Sequence, residues 1–244
     1  MTTEFIIGII ILAVIGLIVF KITKSIFKAI FLASTILAIT IALISFLVVS
    51  DATEFTEKSK AIPSIYLLEE DGIILAGFSG TFMNESSQPT FVSGDALGPY
   101  EENDLDELLG ENYKLYLVKK QAFDLIDTID GGNLLLSKEE VFTLIDSETP
   151  LDDYIIAQVG AVSASQLAAF RKDMFRDMNI ENDDGFRGVL FAAMLTTGFK
   201  EPIWLFDQIK QKNIIIYKET PMFKLIKFAP TSYLKKLMKT EEVN

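Results

Sequence analysis

Two uncharged apolar runs near the N-terminus constrain this chain more than any other feature of its sequence. Residues 5–20 and 29–50 contain no Asp, Glu, Lys or Arg. As helices they would be about 24 Å and about 33 Å long, against a hydrocarbon core of roughly 30 Å. We therefore predict two transmembrane helices, over about 5–22 and 29–50, paired as a helical hairpin within residues 1–50. The alternative is a single signal-like anchor followed by a buried helix.

The distribution of lysines predicts how these helices are oriented. Lys21, Lys24 and Lys28 lie between the two runs, no basic side chain precedes them, and Lys58 and Lys60 follow the second run. Short positively charged loops stay in the cytoplasm. We therefore predict a multi-pass protein of the cell membrane with both termini, and the soluble domain, outside. A domain that faces the cytoplasm is the alternative.

The predicted spans also carry small residues at helical spacing. Ser34, Ala38 and Ala42 repeat every four residues. Small residues let helix backbones approach closely in lipid. This stripe predicts packing between the two spans, or an oligomer formed through the transmembrane helices.

The rest of the chain predicts an α+β fold behind a polar tether over residues 51–63. The domain, residues 64–244, should hold a small sheet of about four strands. These strands are predicted over 64–69, 73–79, 114–118 and 213–217, with a helical insert over about 121–212. Asp71-Gly72 is a strong signal for a hairpin between the first two strands.

Start and stop signals divide the helical insert. We predict a first helix over 121–129, ended by glycines, and a helix that starts at Thr149-Pro150. Ser137 and Ser163 each have Glu or Gln three residues later, the spacing of a capping box. Asp183 or Asp184 is predicted to cap an apolar central helix that Gly198 ends.

Composition excludes several classes of function. The chain carries a net charge of −12, and residues 51–199 hold 28 acidic against ten basic side chains. Such a surface repels nucleic acid, so no nucleic-acid partner is expected. The chain has no cysteine and no histidine, which excludes disulfides, thiol chemistry and histidine-based catalysis.

No motif for a reaction or a cofactor stands out. Gly77-Phe78-Ser79-Gly80-Thr81 lacks the second glycine of a nucleophile elbow, and no histidine is present to activate Ser79. Two acidic groups do not have the spacing of an EF-hand loop, and we expect solvated faces and no metal there. They are Asp124, Asp127 and Asp130, and Glu181, Asp183 and Asp184. We expect no cofactor, and the sequence favours a protein that is not an enzyme.

Two peripheral features could be functional. Asn84-Glu85-Ser86 is a glycosylation sequon, although an ordinary polar turn would look the same. The basic C-terminal segment mixes apolar residues with lysines, as segments on anionic membrane surfaces do. Its predicted membrane contacts are Phe223, Lys224, Lys227, Lys235, Lys236 and Lys239. The alternative is that its apolar side packs on the sheet.

These observations lead to one main functional hypothesis. The chain presents an acidic interaction or scaffold domain, on the outer face of the membrane, to a protein partner that the sequence does not identify. The long irregular segment over residues 80–104 is the expected contact surface, because such loops tend to carry binding sites. One alternative is a membrane-anchored enzyme with a carboxylate-only, metal-dependent site. Another is a membrane-tethered regulator in the cytoplasm.

Overall fold

A computed structural model describes most of the chain, which divides into two compact units, Met1–Ser50 and Asp51–Asn244. The described residues are 3–81, 88–101, 104–130, 135–201 and 203–231, with the backbone alone described for 3–20, 22–27, 29 and 95. The predicted sequon at Asn84 lies outside the described residues, as do Lys235, Lys236 and Lys239.

Helix α1 runs from Thr3 to Ala61. The backbone is helical throughout this range, so the structure shows neither the predicted hairpin nor a second span. The prediction of a tether over 51–63 is wrong for most of its length, because α1 continues to Ala61 and Asp51 and Ser59 are buried. The charged turns of α1 therefore belong to the folded second unit.

The second unit is mixed α+β, as predicted. Its strands, in chain order, are β1 (Ser64–Glu70), β2 (Ile73–Gly80), β3 (Thr90–Phe91), β4 (Gly98–Pro99), β5 (Leu115–Lys119), β6 (Thr128–Asp130), β7 (Leu135–Ser137) and β8 (Ile214–Tyr217). Its helices are α2 (Leu105–Leu109), α3 (Lys138–Asp146), α4 (Pro150–Val159), α5 (Ala164–Met178), α6 (Asp183–Phe199), α7 (Trp204–Gln211) and α8 (Pro221–Ile226).

The main sheet is larger than predicted. Its strand order is β3-β2-β1-β5-β8, and β4 also pairs with β2, which gives six strands instead of about four. The four predicted strands are present as β1, β2, β5 and β8. The additional strands β3 and β4 have two residues each, too short to produce a hydrophobic pattern. β1 and β5 are parallel, and the pairs β1–β2, β2–β3 and β5–β8 are antiparallel.

The turn between β1 and β2 confirms the predicted hairpin. Asp71 has φ 50° and Gly72 has φ 80°. Both values lie in the left-handed region that a two-residue turn of this kind requires. The Glu69 carboxylate accepts a hydrogen bond from the Gly72 N–H at 2.7 Å and closes the turn.

The predicted helix over 121–129 is wrong. The chain forms a short 3-10 turn, Lys120–Phe123, and then strand β6, which pairs with β7. Ala122, Phe123 and Ile129 are all buried, and β-pairing with Leu136 holds Ile129 extended. Tertiary pairing overrides local helix propensity here.

Capping was predicted correctly for two helices and wrongly for a third. Ser137 and Ser163 each form the reciprocal capping box with Glu140 and Gln166. Helix α6 is capped by Asn182, whose Oδ1 accepts from the Gly185 N–H at 2.9 Å, and not by Asp183 or Asp184. Those aspartates lie in the first turn of α6.

The sheet separates two clusters of buried side chains. One face carries Tyr66, Tyr116 and Val118 against α3, α6 and α7, and the other carries Leu67, Leu115 and Leu117 against α2. The rings of Tyr66 and Tyr116 stack at 4.8 Å, and burial raises the pKa of both phenols.

Helix α6 approaches the sheet closely at Gly188. A side chain at Gly188 would lie 2.5 Å from the Phe91 ring and 2.9 Å from the Gly77 carbonyl oxygen. The glycine therefore lets α6 pack against β2 with Phe91 between them, which positions strand β3.

Candidate functional site

Within α1, the apolar segment over residues 30–50 exposes its side chains. All are exposed except that of Val48, and Phe31 and Phe46 are 74% and 71% exposed. Among the described residues, one helical segment, Ile30–Ala61 of α1, is by itself long and apolar enough to cross a membrane. Exposed apolar surface on this scale indicates contact with a nonaqueous medium or another protein.

Polar side chains inside this apolar segment satisfy their hydrogen bonds within the helix. The hydroxyls of Ser34 and Thr35 donate to the Phe31 carbonyl at 2.9 and 2.8 Å, and that of Thr40 donates to the Ile36 carbonyl at 2.9 Å. An unsatisfied polar group costs several kcal/mol in hydrocarbon. These three hydroxyls therefore do not oppose burial of the segment in lipid.

Helices α6 and α7 also meet the length and composition criterion for a span, but only as a pair bent by 107°. Phe186, Phe191 and Met194 of α6 are fully buried in the folded unit. The apolar character of α6 is thus accounted for by the protein core, as the sequence predicts for a central helix.

Immediately after the apolar segment, α1 packs onto the folded unit at what we call the junction: Asp51, Phe55, Lys58, Tyr113 and Phe223. Phe55 lies edge-on to Phe223 at 5.3 Å and tilted to Tyr113 at 6.3 Å. The Lys58 ammonium lies 5.7 Å from the Tyr113 ring centre. Aromatic and cation–π contacts of this kind stabilise packing beyond the area they bury.

Asp51 caps a helix that is distant in sequence. Its Oδ2 accepts a hydrogen bond from the Met222 N–H at 2.7 Å, whereas the N-cap residue of α8, Thr220, makes no side-chain cap. A carboxylate is favoured at a helix N-terminus because it satisfies a free N–H and complements the helix dipole. The first residue after the apolar run is therefore fixed to α8.

Beside the junction lies a buried lysine. Lys114 is 3% exposed, and its Nζ donates to the Lys218 carbonyl oxygen at 2.5 Å. Burial lowers the pKa of Lys114, while the negative charges of Asp51 and Glu54 oppose that shift. The ammonium also lies 5.0 Å from the Tyr113 ring centre. Lys114 thus links the start of β5 to the end of β8.

The basic segment predicted to contact the membrane is only partly described. Phe223 is 4% exposed and packs in the core, so its prediction as a membrane-contact residue is wrong. Lys224 and Lys227 are exposed, and Lys227 Nζ lies 2.5 Å from Glu219 Oε1. Leu225 and Phe228, which belong to the same predicted amphipathic segment, are 41% and 82% exposed.

Residues 89–93, part of the segment over 80–104 that was predicted as the contact surface, form one wall of an open cleft of about 480 Å³. We call this the β3 cleft. Its lining comprises Pro89, Thr90, Phe91, Ser93, Phe175, Arg176, Asn179, Ile180, Glu181, Asn182 and Gly185. The opposite wall is the connection between α5 and α6, which sequence reasoning did not connect with this loop.

Two hydrogen bonds hold the walls of the β3 cleft together. The Asn179 amide donates to Gln88 Oε1 at 3.1 Å, and the Gly94 N–H donates to Asp184 Oδ2 at 3.3 Å. Asn179 adopts φ 53° at the C-terminus of α5, a left-handed conformation that Asn tolerates better than most residues.

Strand β3 directs main-chain groups away from the sheet. The Val92 N–H donates to the Gly77 carbonyl at 2.9 Å, so Val92 and Gly77 form a hydrogen-bonded pair. Successive residues of an antiparallel pair alternate. Phe91, one residue earlier, therefore points its N–H and carbonyl away from β2, at the edge that borders the cleft.

Three of the six acidic side chains considered as metal ligands form ion pairs. Asp183 pairs with Arg171 at 2.6 Å, Asp184 pairs with Arg187 at 2.6 Å, and Asp130 pairs with Lys200 at 2.8 Å. Among the described residues, no group of three or more carboxylates is placed to hold a metal ion.

The remaining candidate, Ser79, has a structural partner. Its hydroxyl donates to Asn112 Oδ1 at 2.6 Å, which ties the end of β2 to the turn before β5.

No known protein family, curated protein or solved structure matches this chain.

Proposed function

We propose that this chain is a membrane-anchored protein whose acidic domain binds a protein partner through the β3 cleft. The observation that carries the proposal is the position of β3 at the end of the main sheet, where it pairs with β2 alone among the described residues and borders this cleft. Extended peptides commonly add to exposed sheet edges, with main-chain hydrogen bonds giving affinity and neighbouring pockets giving specificity. Phe91 offers the main-chain groups, and the α5–α6 connection offers polar side chains.

Charge selects the partner. The acidic excess of residues 51–199 attracts positively charged segments and repels negatively charged ones. Glu181, in the cleft lining, is exposed. The proposed partner therefore presents an extended segment with Lys or Arg to the cleft, and Arg176 on α5 contacts its polar groups.

Photo-crosslinking from the membrane-embedded full chain tests this binding site. A photoreactive residue at Thr90, which is exposed in the cleft, should give a discrete adduct with the partner. Glu181→Lys should abolish the adduct, because it places a positive charge against a basic segment. Glu139→Lys is the matched control, since Glu139 is also exposed but does not line the cleft.

Two results would contradict the proposal. One is an adduct from Thr90 that survives Glu181→Lys. The other is equal loss of the adduct with Glu181→Lys and Glu139→Lys, which would reflect net charge and not the cleft.

We also propose that the anchor crosses the bilayer twice. A straight helix of 59 residues is about 88 Å long, roughly twice a bilayer with its headgroups. With residues 29–50 in lipid, a straight helix would leave the apolar run over 5–20 in water. Folding back near Lys21 to Lys28 places both runs in lipid and keeps the lysines at a surface. The lysine count favours that loop in the cytoplasm and the domain outside.

Single cysteines test the two-span topology, because the natural chain has none. In intact cells, a membrane-impermeant maleimide should label Thr3→Cys and Glu57→Cys but not Ser25→Cys. Ser25→Cys should react after permeabilisation. Labelling of Thr3→Cys and Glu57→Cys on opposite sides would establish a single span instead, and labelling of Ser25→Cys alone in intact cells would reverse the orientation.

A further inference from the structure

The outer side of α8 exposes apolar side chains that the core does not use. Phe223 and Ile226 face the domain, whereas Leu225 is 41% and Phe228 is 82% exposed. The Phe228 and Ala229 N–H groups donate to the Leu225 carbonyl, so the chain continues to turn past the end of α8. Residues three apart on such a turn lie on one side. Leu225 and Phe228 therefore form one outward apolar surface.

The Lys224 ammonium lies next to this surface in the chain. Lys224 is exposed and has no ion pair among the described residues, unlike Lys227, which pairs with Glu219. An exposed aromatic ring, an aliphatic side chain and a lysine together are typical of segments that lie in the membrane interface. We call Lys224, Leu225 and Phe228 the α8 patch.

The junction places α8 near the end of the apolar run. Asp51 follows the last residue of that run and accepts the Met222 N–H. Phe228 lies six residues beyond Met222, a rise of about 9 Å along the axis of a continuing helical turn. The headgroup layer extends roughly 5–8 Å beyond the hydrocarbon on each side. The α8 patch is thus within reach of the headgroup layer wherever residues 29–50 span the bilayer.

We propose that the α8 patch lies in the headgroup layer of the bilayer that holds the anchor. Phe228 and Leu225 insert beside the lipid glycerol groups, and Lys224 contacts anionic headgroups. This inference rests on the proposed membrane anchorage but not on the β3 cleft. Together with the junction, the contact holds the domain in one orientation on the membrane. The local concentration that the anchor provides means that even a weak contact forms.

Lipid-borne quenchers test the contact in the full chain. Phe228→Cys carries an environment-sensitive fluorophore, and the chain is reconstituted in nanodiscs of phosphatidylcholine with a minority of phosphatidylglycerol. Lipids with a doxyl group near the glycerol should quench the label, and aqueous iodide should quench it poorly. Lys224→Glu should reduce doxyl quenching in these nanodiscs but not in pure phosphatidylcholine.

Leu125→Cys is the matched control, because Leu125 is 83% exposed, close to the value for Phe228. β5 begins two residues after Tyr113 of the junction, and Leu125 follows its other end. Five residues of strand span about 17 Å. A label at Leu125 should therefore be quenched by iodide and not by doxyl lipid.

The outcomes separate the two proposals. Equal doxyl quenching at both positions, or a label at residue 228 quenched by iodide alone, would overturn the lipid contact while the chain remains in the nanodisc. Shielding of residue 228 from both quenchers would also overturn it and would indicate a protein occupant. A chain that fails to enter nanodiscs would overturn the anchorage and, with it, the lipid contact.

Discussion

Two segments of helix α1 differ in exposure and in charge, and their comparison explains the organisation of the chain. Residues 30–50 are almost uniformly exposed and apolar, with polar hydroxyls bonded to their own helix. Residues 51–61 are rich in charge, yet Asp51 and Ser59 are buried. The first segment exposes apolar surface that water solvates poorly, and the second segment is part of a folded core.

The difference shows that burial and polarity are independent along one helix. Phe46 and Phe55 are the same residue type, but Phe46 is 71% exposed whereas Phe55 packs between Tyr113 and Phe223. From hydrophobicity alone, residues 30–50 are predicted to be an ordered helix and residues 51–61 a linker. The contacts show that the second segment is also ordered, because Phe55 packs on Tyr113 and Phe223 and Asp51 accepts a hydrogen bond from the Met222 N–H.

The largest expected effect comes from charging the apolar segment. Ala38→Arg should make insertion of this segment less favourable by about 2.5–3.5 kcal/mol, the cost of arginine at the centre of a membrane helix. The measurement is the inserted fraction in a microsomal glycosylation assay. Glu57→Arg, on the exposed side of the second segment, should leave insertion unchanged. Equal insertion of wild type and Ala38→Arg would mean that residues 29–50 do not cross the membrane.

A smaller effect should distinguish the two phenylalanines of α1. Phe55→Ala should lower the free energy of unfolding of the domain by about 2 kcal/mol, less than the 3–5 kcal/mol of a fully buried phenylalanine because Phe55 is only half-buried. Phe46→Ala should leave that free energy unchanged. Urea titration of the full chain in mild detergent, followed by Trp204 fluorescence, measures both. If Phe55→Ala is as stable as Phe46→Ala, residues 51–61 are a tether after all.

The smallest effect should come from the cap that Asp51 provides. Asp51→Ala should destabilise the domain by about 1 kcal/mol, the usual cost of losing a helix cap. Asp51→Asn keeps an acceptor for the Met222 N–H and should recover most of that loss. The same urea titration checks both variants, and hydrogen exchange of the Met222 amide localises the change. Equal losses for Ala and Asn would assign the effect to the charge of Asp51 and not to its hydrogen bond.

Local signals predicted much of the domain correctly. The Asp71-Gly72 turn and the two capping boxes depend on residues at most three positions apart, so they can be recognised in the sequence. The helix predicted over 121–129 failed for the opposite reason, because the partner of β6 is a separate segment, β7. Strands of two residues, such as β3, produce no pattern at all.

The candidate site divides in the same way. The loop over residues 80–104 was predicted to be a contact surface, and residues 89–93 of it line the β3 cleft. The opposite wall, at Asn179, is about ninety positions further along the chain. No local sequence pattern predicts that these two segments lie together. Likewise, Phe223 and Phe228 have the same local composition, and only the packing of α8 decides that one is buried and the other exposed.

The sequence by itself determined the properties that depend on composition over a single stretch. These are an apolar segment long enough to cross a bilayer, an acidic domain, and the absence of cysteine and histidine chemistry. Tertiary structure alone decided three other features. These are the residue at which α1 begins to pack in the folded unit, the segment that forms the opposite wall of the β3 cleft, and the side of α8 that remains exposed. Those features arise from contacts between residues distant along the chain, and the energy of such a contact depends on the geometry that brings the two surfaces together.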